Sequence, residues 1–446
     1  MNTTDKKKDK VTRIPVKPVI IPRDKHIISR SSISENALKV LYRLKNAKYK
    51  AFLVGGSVRD LLLGREPKDF DVVTDARPEQ IRELFRNCTL IGRRFRLAHV
   101  RFGREIIEVS TFRAPHHVID SGDGHIEDGR IVRDNVYGDI DDDVWRRDFT
   151  VNALFYNIEG FSILDYVGAM QDIDDGQLRL IGDPVQRFTE DPVRLLRAVR
   201  FAVKLGFRIH PSVDQSIHDL AYLLEDIPPA RLFEETLKLF LGGYALQTFE
   251  MLRHYGLFEY LFPQTEQILN EEEGGFPHMF LIQALKNTDL RLADNKTVNP
   301  AFLLAALLWE PVQKLVNDHQ ANGLPEMDSI HLAGDSVISR QISSTAMPRR
   351  FTIVAREIWA LQARLKNKSS KRAYRLLSHQ RFRAAYDFLL LRAQAGEAVE
   401  DLADWWTNFQ QHAGVGEGND KQGKNQKSPR SHRRHRRRGS EKPALS

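Results

Sequence analysis

A chain of 446 residues that is 41% hydrophobic and 28% charged has the composition of a soluble globular protein, with about three folded units at ~150 residues each. Residues 301–309, the longest wholly apolar run, fall well short of the ~20 that a membrane helix needs, and the single Cys88 excludes an intramolecular disulfide or a Cys-cluster zinc site. The net charge of +8 sits in the ends: residues 1–30 hold nine Lys/Arg against three Asp, residues 421–446 hold ten against one Glu, and 31–420 carry −7.

Pro15, Pro18 and Pro22 among the N-terminal charges predict a disordered basic arm over residues 1–30. It lacks the apolar stretch of a secretory leader, and its Asp5, Asp9 and Asp24 oppose an organelle transit peptide, which together predict a cytoplasmic protein. Ser34 is placed to cap a helix from Glu35 to Asn46. Ala51-Phe52-Leu53-Val54 is a short apolar strand that runs straight into Gly55-Gly56-Ser57 and a second helix ending at Gly64. Phe70-Asp71-Val72-Val73 reads as a strand, Pro78 opens a helix through Phe85, and further strands run from Ala98 to Phe102 and from Ile106 to Thr111. Residues 113–143 are polar and acidic and read as a long loop, in which Asp141-Asp142-Asp143 is a solvated run before it is a cation site.

Beyond Gly182 the pattern is helical from Asp191 to about Gln411, punctuated at Pro228-Pro229, Gly242-Gly243, Gly274-Gly275 and Pro311. The fold class is therefore α+β. A mixed α/β head is expected over 31–180, an all-α neck over 181–260 and an all-α body over 261–413. A disordered Lys/Arg-rich tail follows over 414–446. Basic arms of this kind usually meet phosphate-rich partners.

The chemistry concentrates in two adjoining segments. Residues two apart in a strand share a face, so Asp69 and Asp71 present two carboxylates together while Phe70 and Val72 turn to the core. Two such charges repel unless a cation lies between them, and converging oxygens suit Mg²⁺, which also accepts phosphate oxygens. Ahead of them, the Gly-Gly-Ser turn enters a helix N-terminus that favours a phosphate, and the missing Cβ atoms at Gly55 and Gly56 allow it close. Each feature alone is weak. Their order along the chain sets a triphosphate beside a divalent metal and points to nucleotidyl transfer. Glu108, a carboxylate in an otherwise apolar strand, is the candidate third acid of a two-metal site with ions ~3.5–4 Å apart. One of these carboxylates can also take the proton of an incoming RNA hydroxyl. Farther on, Asp191, Arg194, Arg197 and Arg200 recur every three residues along a helix started by Pro192, forming a row able to read a base edge.

Residues 53–74 resemble the signature of the class II nucleotidyltransferases in the DNA polymerase beta superfamily. Arg146-Arg147-Asp148-Phe149-Thr150-Val151-Asn152-Ala153-Leu154 is similar to that family's second motif, and the segment from Glu190 to Phe201 to its base-selecting motif; the likeness spans about 31–260. By resemblance, Asp69, Asp71 and Asp148 are catalytic, with Asp69, Asp71 and Glu108 at the metal. Gly55, Gly56, Ser57 and Arg59 bind the triphosphate, Arg147 and Asn152 the nucleotide. Asp191 and Arg194 read the base, with Arg197 in support or on phosphate.

The class holds two main activities, poly(A) tailing and CCA addition to tRNA. Gly92-Arg93-Arg94-Phe95-Arg96-Leu97-Ala98-His99-Val100 is similar to a segment of the bacterial poly(A) polymerases of the type I kind. So are Pro228-Pro229-Ala230-Arg231-Leu232-Phe233-Glu234-Glu235, Asn299-Pro300-Ala301-Phe302, Phe382-Arg383-Ala384-Ala385-Tyr386-Asp387 and the Arg-rich tail. The resemblance implies template-independent addition of AMP from ATP to RNA 3′ ends, with Mg²⁺ or alternatively Mn²⁺, and pyrophosphate release. Expected partners are mRNA, small RNA and decay intermediates, with RNA-decay or RNA-chaperone proteins beside them. CCA addition is the alternative. A non-catalytic RNA-binding protein is a third, which the intact Asp69, Asp71 and Asp148 oppose.

Other signals carry less. His218-Asp219 lies in an amphipathic helical pattern and reads as structural; His116-His117 lacks partners; His432 and His435 accompany the Arg run as phosphate contacts. Residues 364–383 mix Lys and Arg with Tyr374 and Phe382. That segment reads equally as a primer-holding surface and as the solvated side of two helices.

Overall fold

A computed structural model of the chain describes residues 17–92, 96–114, 124–127, 130–134, 136–271 and 279–413. The short apolar segments of the N-terminal half join in one eight-stranded sheet. In chain order its first strands are β1 (Val19–Ile21), β2 (Ala51–Val54), β3 (Asp71–Thr74), β4 (Cys88–Ile91), β5 (Leu97–Phe102) and β6 (Glu105–Thr111). A separate hairpin of β7 (Gly124–Glu127) and β8 (Arg130–Asp134) precedes β9 (Leu154–Asn157) and β10 (Ser162–Asp165), which complete the sheet. The order is β1-β10-β9-β2-β3-β6-β5-β4, and all neighbours are antiparallel except β3 and β6.

The pleat sorts side chains by alternation. Leu53, Val72 and Val109 face one core together with Ala37, Val40, Leu41 and Leu44 of helix α1 (Glu35–Asn46). Those helix positions recur at the spacing of one buried face, and the Ser34 hydroxyl caps the helix by accepting from the Asn36 amide at 3.2 Å. Phe52, Val54, Val73, Phe112 and Phe155 fill the opposite side of the sheet. Helices α2 (Gly56–Leu62) and α3 (Pro78–Leu84) follow β2 and β3, as their Gly and Pro signals require.

Two expectations are corrected. The flexible arm does not extend to residue 30: β1 pairs antiparallel with β10, Ile28 is buried, and His26 Nε2 lies 2.9 Å from the Phe161 carbonyl oxygen. Val19-Ile20-Ile21 needs an open sheet edge to become a strand, and Pro18 and Pro22 are tolerated there. Residues 1–16 and 414–446 lie outside the described residues, as do His116-His117, His432 and His435. The second correction concerns 113–143, which contains β7, β8 and the start of α4 (Ile140–Arg146) rather than one loop. Asp141, Asp142 and Asp143 form the first turn of α4, where carboxylates suit the helix dipole. Asp139 accepts from the Asp142 amide at 2.9 Å.

From α5 (Ala169–Asp174) onward the chain is helical but for β11 (Gln177–Leu178) and β12 (Arg208–Ile209), which pair in parallel. Helices α6 (Pro184–Glu190), α7 (Val193–Leu205), α8 (Pro211–Asp219) and α9 (Pro229–Phe240) lead into the body. Further helices run from Ala245–His254 to Glu400–His412. The break expected at Pro311 falls at Leu308, and Pro311 sits in the first turn of Trp309–Ala321, where a missing N–H costs little. Gly274-Gly275 lies outside the described residues. The core on the α1 side of the sheet continues through the body, and a separate cluster gathers Leu361, Leu365, Ala373, Leu376, Phe382 and Trp406. Among the described residues no helix is long and apolar enough to cross a membrane.

Candidate active site

The site begins where β2 ends. Gly55 adopts φ 75°, a conformation that L side chains rarely take, and turns the chain into α2. A Cβ there would meet Arg147 Nη1 at 3.7 Å, so the guanidinium already borders this turn. Ser57 and Arg59, expected at the phosphates, face inward instead. The Ser57 hydroxyl donates to the Val54 carbonyl at 3.0 Å, and the buried Arg59 donates through Nη1 to Asn152 Oδ1 at 2.5 Å and through Nε to Asp60 Oδ1 at 2.9 Å. They brace the turn from behind.

Beside it, the parallel register of β3 and β6 sets Asp71 directly opposite Glu108. Asp69 lies two residues before Asp71, just ahead of the strand. Burial pushes the Asp71 carboxyl up to about 6; the Glu108 charge adds to this, Arg147 opposes it, and Asp69 adds a smaller push. Three acids thus share one electrostatic neighbourhood with one opposing cation, a donor set that fits a hard divalent ion. Their side chains do not converge as expected: among the described residues no group of three His, Cys, Asp or Glu is placed to hold an ion. Glu108 Oε2 instead lies 3.4 Å from His99 Nε2, across the β5–β6 pair. Of the Gly92 to Val100 segment, residues 93–95 lie outside the described residues.

A second cluster lies where α4 ends. Arg147 stops the helix, Phe149 is buried in the core, and Asp148 between them accepts from the Phe149 amide at 2.8 Å, Asn152 Nδ2 at 3.2 Å and Arg197 Nε at 2.9 Å. Burial alone would raise the Asp148 carboxyl. The Arg197 charge and these hydrogen bonds more than reverse that and hold it well below the usual carboxylate range. A continuous chain, Arg197 to Asp148 to Asn152 to Arg59 to Asp60, thereby ties α7 to α2.

The base-reading row is also engaged. Arg194 is buried and donates to the Arg187 carbonyl at 2.6 Å and to Glu190 Oε2 at 3.2 Å. Asp191 pairs with Arg231 of α9 at 2.8 Å. Arg147 donates to Asp143 Oδ2 at 2.8 Å, and Arg187 reaches back to the Arg147 carbonyl at 2.6 Å. Burial and the neighbouring Arg113, Arg187 and Arg194 push Arg146 down to about 8, with Glu190 in partial opposition. Arg113, Arg146, Arg187 and Arg194, from four segments, therefore crowd together, and such a concentration of positive charge favours an anionic ligand. Sequence reasoning missed the parts played by Arg187, Glu190 and Arg231. Glu190 and Arg231 stand in segments that resemble family motifs, yet nothing in the spacing says that they clamp Arg194 and Asp191. His218, by contrast, is structural as expected, packed on Tyr255 with ring centroids 4.8 Å apart.

Comparison with known proteins fits this geometry. The Poly A polymerase head domain model matches residues 51–179, the probable RNA and SrmB-binding site of polymerase A matches 206–269, and the polymerase A arginine-rich C-terminus matches 322–441. Poly(A) polymerase I of Salmonella typhimurium is 51% identical over 400 residues, covering 88% of this chain and 86% of its own length. A CCA-adding enzyme of Lactobacillus helveticus is 37% identical over 215 residues, 48% of this chain and 52% of that protein. Among solved structures, the Bacillus stearothermophilus CCA-adding enzyme in complex with CTP superimposes with a TM-score of 0.56 at 25% identity, over 85% of this chain and 82% of that one. The long match to one group and the half-length match to the other decide between them: the chain belongs to the poly(A) polymerase family, in its type I branch.

Proposed function

We propose that the chain transfers AMP from ATP to RNA 3′ ends without a template, joining the 3′ oxygen to the α-phosphorus and releasing pyrophosphate. The observation that carries this is the acid pair Asp69 and Asp71, set against Glu108 beside a Gly-Gly turn bordered by Arg147. Asp69 and Asp71 are the residues that would hold Mg²⁺ or Mn²⁺, which supplies neutralisation of the charge that builds on the transferring phosphoryl group. Glu108, opposite Asp71, is the carboxylate we assign to the proton of the attacking hydroxyl.

The backbone at Gly55 and Gly56 admits the triphosphate, and Arg147 at the turn meets its charge. Asp148 acts through Arg197, which it fixes on α7, and Asn152 carries the same restraint to α2. Asp191 and Arg194 present an acceptor and a donor fork to the base, each held in place by its partner, Arg231 and Glu190.

A catalytic head over 31–180 extended back to residue 17, a neck over 181–260 and an RNA-holding body over 261–413 complete the proposal. The setting is cytoplasmic, and the partners are mRNA, small RNA, decay intermediates and proteins of RNA decay or chaperoning. The test is extension of a labelled generic RNA, and of a tRNA lacking its CCA end, with each nucleoside triphosphate separately. A ladder of A residues on the generic RNA with ATP alone is expected. Extension confined to the tRNA and stopping after C, C and A would assign the chain to CCA addition, and extension of neither would leave only RNA binding.

A further inference from the structure

The surface around Tyr374 borders the cluster of Leu361, Leu376 and Trp406, on the helix that supplies Ala373 and Leu376 to it. Helix Ser370–Leu377 presents Lys371, Tyr374 and Arg375 at the spacing of one face. Tyr374 is 55% exposed, unusual for a large ring on a helix otherwise anchored by buried Ala373 and Leu376. Its ring meets Phe409 with centroids 5.1 Å apart, and Phe409 stacks on Trp405 at 4.8 Å and 11°. Trp406, next in sequence, is fully buried and donates through Nε1 to the Leu365 carbonyl at 2.9 Å. A row of three rings thus runs from solvent to a firmly held base.

The charge at the Tyr374 end of that row is positive, while Glu400, Asp401 and Asp404 stand at the start of the helix that carries Trp405 and Phe409. No Asp or Glu stands between Glu357 and Asp387 in the sequence. Lys366, Arg381 and Arg383 are paired, with Glu326, Glu357 and Asp387. Among the described residues, Lys368, Lys371, Arg372 and Arg375 form no ion pair. Asp404, on the helix that carries Phe409, lies ~7 Å from it along the axis.

We propose that Tyr374, backed by Phe409 and Trp405, is a stacking platform for a base of single-stranded RNA, with Lys368, Lys371, Arg372 and Arg375 holding the flanking phosphates. Any base has a π-face, so such a platform accepts a growing homopolymer as readily as mixed sequence. It holds the strand upstream of the 3′ end while the end itself is extended. The platform rests on the reading of the chain as a polymerase of RNA 3′ ends, but its binding is measured independently of that activity.

The test is fluorescence anisotropy of the full chain with a labelled single-stranded adenylate oligomer and with a duplex RNA of equal length. Tyr374→Ala weakens binding of the single strand about tenfold and that of the duplex little, while Tyr374→Phe stays within about twofold of wild type. Lys371→Gln with Arg375→Gln makes the slope of log affinity against log salt shallower by ~0.7 for each phosphate no longer neutralised. Asp69→Ala keeps the full single-strand affinity although it no longer elongates, which separates this site from the catalytic one. Equal affinity of wild type and Tyr374→Ala for the single strand overturns the proposal. So does a Tyr374→Ala loss confined to anionic phosphatidylglycerol vesicles. Unfolding curves and the Tyr374→Phe rescue distinguish lost stacking from a damaged fold.

Discussion

The two acidic centres of the head, Asp69-Asp71 and Asp148, are distant in sequence and stand in opposite electrostatic states. Asp148 is surrounded by donors and its carboxyl is held low, whereas Asp71 is half-buried among other acids and its carboxyl is pushed up to about 6. The first centre is complete within the protein and fixes geometry. The second carries more negative charge than its surroundings offset, the condition that draws in a cation. A site that pairs rigid positioning with an unfilled demand for positive charge suits transfer of a highly charged phosphoryl group.

The largest effects should fall on the uncompensated centre. Asp69→Ala and Asp71→Asn each lower AMP incorporation by about 10³-fold or more, with RNA affinity unchanged, as primer extension and anisotropy report. Asp71→Asn also stabilises the metal-free protein at pH 8 by about 1–3 kcal/mol, because it removes a charge that burial opposes. The sign follows from the raised folded value. The Asp71 proton is bound more tightly in the folded state, so its contribution is fully present below about 4, is lost as pH rises through about 6, and the advantage of Asn vanishes in acid.

Asp148→Ala should act in the other direction, lowering stability by about 1–3 kcal/mol at neutral pH because the partly buried Arg197 loses its partner and Asn152 and the Phe149 amide lose their acceptor. Its folded value is depressed, so that stabilisation is present above ~4 and is lost as pH falls below it. Thermal unfolding of the variant and wild type across pH 3–7 should show the gap closing only at the acid end. Arg231→Ala is a smaller perturbation, since it breaks one partly exposed ion pair, whereas Asp148 also accepts from Asn152 and the Phe149 amide. Freed from it, Asp191 should discriminate ATP from CTP about tenfold less well in kcat/KM, with kcat for ATP little changed. Least of all, Ser57→Ala should cost about 1 kcal/mol of stability and leave KM for ATP unchanged, because the hydroxyl serves Val54 and not a phosphate.

This contrast between centres was only partly legible in the sequence. The apolar runs ending at Val54 and at Val73 and the Ser34 cap located strands and helix, because those signals are local. The motif segments located the acids and Asp148 for the same reason. What escaped was pairwise and distant: Arg59 against Asn152, Arg231 against Asp191, and Glu108 leaning toward His99 rather than closing a three-acid set. Composition likewise hid β1, since a three-residue strand among prolines and charges exists only because β10 offers it an edge. The segment around Tyr374 was evenly balanced between surface and binding site, and the exposure of one ring beside unpaired cations is a property of the fold alone.

The most direct test of the uncompensated centre is the thermal midpoint of wild type and Asp71→Asn at pH 8, each in chelator and in Mg²⁺. The account predicts that Asp71→Asn is the more stable of the two in chelator, and that Mg²⁺ raises the wild-type midpoint but scarcely moves the variant. If Mg²⁺ stabilised both equally, or if Asp71→Asn were less stable in chelator, Asp71 would be neither strained nor a metal ligand, and the claim would fail.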